Sequence, residues 1–114
     1  MTQKKGASLP GSSVSYELHS EVKRYTLLDN GFLETKNGNY QYERTLSKQA
    51  SDQTAPHLKL TVGKNLDRLR MSVVTAKGLK KVNLYKENQF EEERALAEFY
   101  LDNFVNEKVL LPVE

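Results

Sequence analysis

The chain predicts an α+β fold, with antiparallel sheet packed against one main C-terminal helix. Three observations carry that expectation. An Asn37-Gly38 pair separates two strand-like runs. Three further runs between His57 and Tyr85 alternate apolar and polar residues. One apolar stripe at helical spacing then follows near the C-terminus. Strands followed by a single long helix bury the apolar face of the sheet beneath that helix.

Residues 1–13 contain Gly, Ser and Pro with Lys4 and Lys5 but no apolar core. They read as a flexible tail and not as a signal peptide. Residues 14–114 form a single α+β domain. Val14, Tyr16 and Leu18 alternate with Ser15 and Glu17, the period of a strand. Ser20 is placed to cap a short helix over residues 21–29. Val22, Tyr25 and Leu28 then share a face, and Gly31 sits where a left-handed residue ends a helix. An extended segment is the rival reading, since Tyr25-Thr26-Leu27-Leu28 also suits a strand.

A hairpin comes next. Asn tolerates positive φ and Gly adopts it freely, so Asn-Gly predicts a two-residue type I′ turn. That loop pairs Lys36 with Asn39, Thr35 with Tyr40 and Leu33 with Tyr42. Leu33, Thr35, Tyr40 and Tyr42 then lie on one face, with Glu34, Lys36, Gln41 and Glu43 on the other. Residues 47–56 are polar and aperiodic and read as a mobile loop.

A three-strand meander follows. Leu58, Leu60 and Val62 alternate with polar neighbours, as do Leu69, Met71 and Val73, and then Val82 and Leu84. Residues 64–67 and Lys77-Gly78 make the two turns. Val62 then faces Leu69, Leu60 faces Met71, and Leu58 faces Val73. On the next edge Val73 meets Val82 and Met71 meets Leu84. The last element is a helix over residues 89–107, with Asn88 as N-cap and Glu91, Glu92 and Glu93 complementing its positive end. Phe90, Ala97, Tyr100, Leu101 and Phe104 form its buried stripe, edged by Leu96 and Val105. Pro112 ends any continuation.

Composition narrows the function classes. The chain has 114 residues, 38% of them hydrophobic and 28% charged, which suits one ordinary core. A net charge of +2 is not that of a nucleic-acid-coating polycation. The absence of cysteine excludes disulfides, thiolate catalysis and cysteine-bound zinc. No run approaches a membrane span, so a cytoplasmic protein is expected. Charge is nevertheless split along the chain. Residues 57–86 hold eight basic side chains and one acidic, and residues 91–107 hold six acidic and one basic.

The deduced register places three polar rows on the outer face of the meander. These are His57, Val74 and Lys81; Lys59, Ser72 and Asn83; and Thr61, Arg70 and Tyr85. Lys59, Arg70, Lys81, Asn83 and Tyr85 are the candidate ligand-binding residues, as a cluster of donors that could hold a carboxylate or phosphate. A solvated cationic sheet face is the plainer alternative. Nucleic-acid binding is disfavoured, because Tyr85 is the one aromatic available there for stacking.

No catalytic constellation stands out. His19 and His57 are the only histidines, and neither has a second metal ligand at helical or hairpin spacing. Asp29, Glu34 and Glu43 have no partner that would make an acid–base pair. There is no nucleophile elbow and no phosphate-binding Gly-rich loop, so no cofactor is implied.

The segments Lys23-Arg24-Tyr25-Thr26-Leu27, Gly31-Phe32 and residues 36–44 resemble a small bacterial family of unknown function. Residues 58–62, 64–66 and 71–80 carry the same resemblance. That family occurs in lactic-acid bacteria and their relatives and is linked to amino-acid metabolism. The similarity covers residues 16–104. It implies two β-sheets against one main helix, and a remote likeness to bacterial S-adenosylmethionine decarboxylases. Those enzymes use a self-cleaving serine with histidine and cysteine. This chain has no cysteine, and His19-Ser20 stands in the wrong order. The expected function is an accessory or small-ligand-binding protein of amino-acid metabolism. Its expected partner is a small anionic metabolite or, alternatively, a metabolic enzyme that it regulates, with no membrane.

Overall fold

Two antiparallel sheets and two helices organise the chain, which a computed structural model describes over residues 7–9, 12, 14–47, 55–75, 80–85 and 90–113. The elements are β1 (Ser15–Leu18), α1 (Arg24–Asp29), β2 (Leu33–Glu34), β3 (Tyr40–Thr45), β4 (His57–Val62), β5 (Leu69–Val74), α2 (Glu91–Asn106) and β6 (Leu110–Val113). The larger sheet has the order β2-β3-β4-β5, and β1 pairs with β6 in a smaller one.

The β4–β5 register is the one that the alternation implies. Val62 pairs with Leu69, Leu60 with Met71 and Leu58 with Val73. All six are buried, and their outward neighbours are not. Tyr40 and Tyr42 join the same buried face from β3. Ala97, Leu101 and Phe104 of α2 are buried with them, while Leu96, Tyr100 and Val105 flank the stripe. Phe104 stacks edge-on to Tyr42, with ring centroids 4.9 Å apart. At the margin of this layer the Arg44 guanidinium lies 4.4 Å above the Tyr100 ring. Asn88, Lys77-Gly78 and residues 48–54 lie outside the described residues.

The hairpin departs from the two-residue turn. The Thr35 carbonyl accepts from the Gly38 N–H, and the Thr35 N–H donates to Asn39, so the loop holds three residues. Gly38 has φ +86°, but Asn37 is not in the left-handed region. This is a type I turn closed by a glycine bulge, which needs positive φ at one position only. The register shifts accordingly, with Leu33 against Gln41 and Glu34 against Tyr40. Leu33 is therefore outside, 72% exposed, and Phe32 takes the core position beside Tyr42.

The first helix begins at Arg24 and not at residue 21. A turn occupies residues 19–22, with the Val22 N–H donating to the His19 carbonyl and the Glu21 N–H to His19 Nδ1. Thr26 Oγ1 then accepts from the Lys23 N–H at the helix start. Gly31 does end the helix, at φ +93°. The Phe32 N–H reaches the Leu27 carbonyl and the Gly31 N–H the Leu28 carbonyl, the paired bonds of a Schellman motif.

The third strand of the meander shrinks to one bridge, Val74 to Lys81. Asn83 Oδ1 accepts the Tyr85 N–H at 2.8 Å, and this local turn competes with the ladder. Conversely, the chain continues past α2 into β6. Tyr16 pairs with Pro112 there, although proline has no N–H to donate. Tyr16 turns its own N–H and C=O the other way, onto Ala7. Tyr16–Pro112 is thus a non-hydrogen-bonded pair, and proline costs the ladder nothing. Ala7 and Leu9, placed by the sequence in a free tail, sit on the domain, and Leu9 is buried.

The second helix ends in the same motif as the first, with Lys108 in place of glycine at φ 62°. Relief of that conformation exceeds the added unfolded-state entropy, so Lys108→Gly should stabilise by about 0.5–1 kcal/mol. Gly31→Ala should instead destabilise by about 1–2 kcal/mol. Its Cβ would also press on the Tyr42 ring at 3.4 Å. Urea unfolding of both variants, with Phe104→Ala as a core reference at about 3–5 kcal/mol, checks the order.

Candidate functional site

Lys59 and Arg70 share the polar face of the larger sheet. Lys59 is opposite Ser72 and Arg70 opposite Thr61, which makes the two cations diagonal neighbours. Lys81 lies beside Val74 at the other end of that face. Beyond Lys81 the rows break up. Asn83 spends its side-chain oxygen on its own turn. Tyr85 is on the α2 side, where its hydroxyl donates to Glu98 Oε2 at 2.7 Å. Of the five candidates, then, Lys59 and Arg70 are brought together, Lys81 stands apart, and Tyr85 belongs to a different surface.

Arg70 lines a cavity of about 430 Å³ between the hairpin turn and the β4–β5 loop. Asn37, Asn39, Thr61, Lys64 and Arg68 line it too, together with Asp67. Two local features build its wall. Asn39 Oδ1 accepts the Lys64 N–H at 3.1 Å, tying the turn to the loop. Gly38 serves the turn through its φ of +86°, and a Cβ there would meet Lys64 at an ordinary contact distance of 3.5 Å. In the loop itself, the Gly63 N–H donates to the Arg68 carbonyl and the Leu66 N–H to the Gly63 carbonyl. Leu66 takes φ 57° to close it. Among the described residues the side chains of Lys64, Arg68 and Arg70 have no hydrogen-bond or ion-pair partner. Lys64 was visible in the sequence only as a meander-turn residue, and Arg68 only as a polar residue of the alternating strand that follows. Their convergence with Arg70 depends on the hairpin tip, which the two-residue turn would have placed differently.

His57 is satisfied locally, with Nδ1 2.9 Å from Glu43 Oε2 and Nε2 3.4 Å from Thr45 Oγ1. Among the described residues no three His, Cys, Asp or Glu side chains converge as a metal site. No described helix is long and apolar enough to cross a membrane.

A second cavity, of about 340 Å³, lies on the α2 side. Ser12, Tyr16, Tyr85, Glu98 and Asp102 supply its polar groups, over an apolar base that includes Leu101 and Val105. Burial, and then the hydrogen bond to Glu98, push the Tyr85 phenol up to about 12. Tyr16 is also raised, first by burial and then by the charges of Asp102 and Glu98. The sequence signal for this site was Glu98 and Asp102 at helical i, i+4 spacing around Leu101.

The chain belongs to the DUF1831 family, described as "Putative amino acid metabolism", which it matches over residues 1–111. It is similar to the crystal structure of a DUF1831 family protein from Lactobacillus plantarum, at 31% identity and a TM-score of 0.87, covering 99% of each chain. No curated protein matches it.

The Tyr85 phenol supplies a titration test. A phenol whose folded value is raised stays protonated after its unfolded counterpart ionises, so stability falls as pH rises from 10 toward 12. Urea midpoints across that interval should decline less steeply for Tyr85→Phe than for the parent. Equal slopes would remove Tyr85 as the source.

Proposed function

We propose that this protein binds a small anionic metabolite of amino-acid metabolism in the cavity beside Arg70, as a cytoplasmic accessory protein. One observation carries the reading. Three cations, Lys64, Arg68 and Arg70, converge on one cavity without partners among the described residues, against a single described carboxylate, Asp67. A guanidinium presents parallel N–H donors that match a carboxylate or phosphate, and Lys adds a point charge. Asn39 uses its oxygen on the loop, which leaves its amide N–H groups to donate. Lys59, diagonal to Arg70, extends the positive field. Asp67 suits the ammonium of an α-amino acid, so an acidic amino acid matches both signs. The family description supports that metabolite class.

A thermal-shift screen against acidic amino acids, simple dicarboxylates and inorganic phosphate tests the reading. A ligand at about 100 times its Kd should raise stability by about 2.7 kcal/mol. Arg70→Ala and Arg68→Ala should each weaken binding by about 1.5–3 kcal/mol, the range for hydrogen bonds to charged groups. Both are exposed, so their stability should change by no more than about 0.5 kcal/mol. Absence of any stabilisation at millimolar ligand would remove the anion site.

A further inference from the structure

We infer that the α2-side cavity is a binding site for a small organic amine with an apolar body, separate from the anion cavity. Tyr16 is the observation that singles this cavity out. Its residue is 7% exposed, yet its hydroxyl makes no hydrogen bond to any other described residue. No fully buried side-chain oxygen or nitrogen among the described residues lacks a partner, so that hydroxyl is accessible, and Tyr16 lines the cavity. A side chain held so deeply by its ring keeps its polar end free to bond what occupies the cavity.

The surrounding groups define the partner. Glu98 and Asp102 project from successive turns of α2 into the same space, and neither forms an ion pair. Their charges act on Tyr16, which they stabilise in its neutral form. Among the described residues the cavity therefore combines two carboxylates, a phenol oxygen that can accept, and no lining cation. Arg94, outside the lining, holds its guanidinium 5.5 Å from the Tyr85 ring. It shows that one face of that ring already takes a cation.

Leu9, Val14, Leu101, Val105 and Pro112 supply the remaining wall. An ammonium set between the carboxylates and Tyr16 would lay its hydrocarbon along these residues. The volume, about 340 Å³, is at the small end for ligand sites and suits an alkyl or aralkyl amine. An anion is repelled there, and a neutral alcohol forgoes the charge.

The full chain should be titrated with hexylammonium, 1-hexanol and hexanoate, following tyrosine ring signals by NMR. Hexylammonium should shift Tyr16 and Tyr85 saturably, and 1-hexanol should bind at least about tenfold more weakly, since charged hydrogen bonds are worth more than 1 kcal/mol. Hexanoate should leave both rings unmoved. The double variant Glu98→Gln/Asp102→Asn should lose about tenfold or more in amine affinity, and Tyr16→Phe about threefold or more. Both carboxylates are exposed, and glutamine can still accept from Tyr85, so the double variant should keep the parent circular dichroism. Arg70→Ala should leave amine binding unchanged, which separates this result from that of the anion cavity. No ring shift with hexylammonium, equal binding of 1-hexanol, or unchanged affinity in the double variant would each overturn the assignment. A double variant that misfolds leaves Tyr16→Phe and the alcohol comparison to decide it.

Discussion

The contact among Phe32, Tyr42 and Phe104 holds the parts of this domain together. Their ring centroids are 4.9–5.5 Å apart, a spacing at which tilted and edge-on aromatic pairs attract. Each ring comes from a different segment. Tyr42 is on the central strand β3, Phe104 is on α2, and Phe32 directly follows the end of α1. Phe32 can be there because Gly31 turns the chain through a left-handed conformation that costs glycine least, with its backbone against the Tyr42 ring. A short helix of six residues could not persist alone. Its C-terminal turn is instead fastened to the core by the residue that leaves it.

The same device acts at the other end of the domain. The Val109 N–H donates back to the Phe104 carbonyl, and Val109 is fully buried. That turn sends β6 along β1 and completes the smaller sheet. Both helices therefore finish by delivering an apolar residue to one core. The Phe104 carbonyl and ring serve both closures, so damage at this position reaches the hairpin and the smaller sheet alike.

Period-two alternation was legible because burial of one face admits only one register. Leu58, Leu60 and Val62 match Leu69, Met71 and Val73 row for row in one register, and a one-residue slip would turn one set outward. The helix stripe was legible for the corresponding reason. Single-residue loop geometry was not. Asn37-Gly38 fits a type I′ turn and a type I turn with a bulge equally well. The choice fell to Phe32, whose ring outcompetes Leu33 for the place beside Tyr42. β6 was hidden by Pro112, which forbids a hydrogen-bonded ladder position but not the non-bonded one it occupies. Of the site, Lys59 and Arg70 were legible as partners in the meander. The contribution of Lys64 and Arg68 depended on tertiary contact with the hairpin tip.

The most consequential difference lies in the few residues after β5. Continued pairing would have carried Tyr85 onto the cationic face, beside Arg70. The turn closed by Asn83 and the complete burial of Leu84 take the chain across to α2 instead. Removing Tyr85 takes away the aromatic that the sequence placed on the basic face for stacking, which supports the proposed small-anion reading over a nucleic-acid one. Delivering Tyr85 to α2 places a phenol against Glu98, beside Tyr16 and Asp102. The charge separation written along the chain thus becomes two cavities of opposite sign on the two sides of one apolar layer. Lys64, Arg68 and Arg70 on one side and Glu98 and Asp102 on the other are all exposed, so water and mobile ions screen each set from the other.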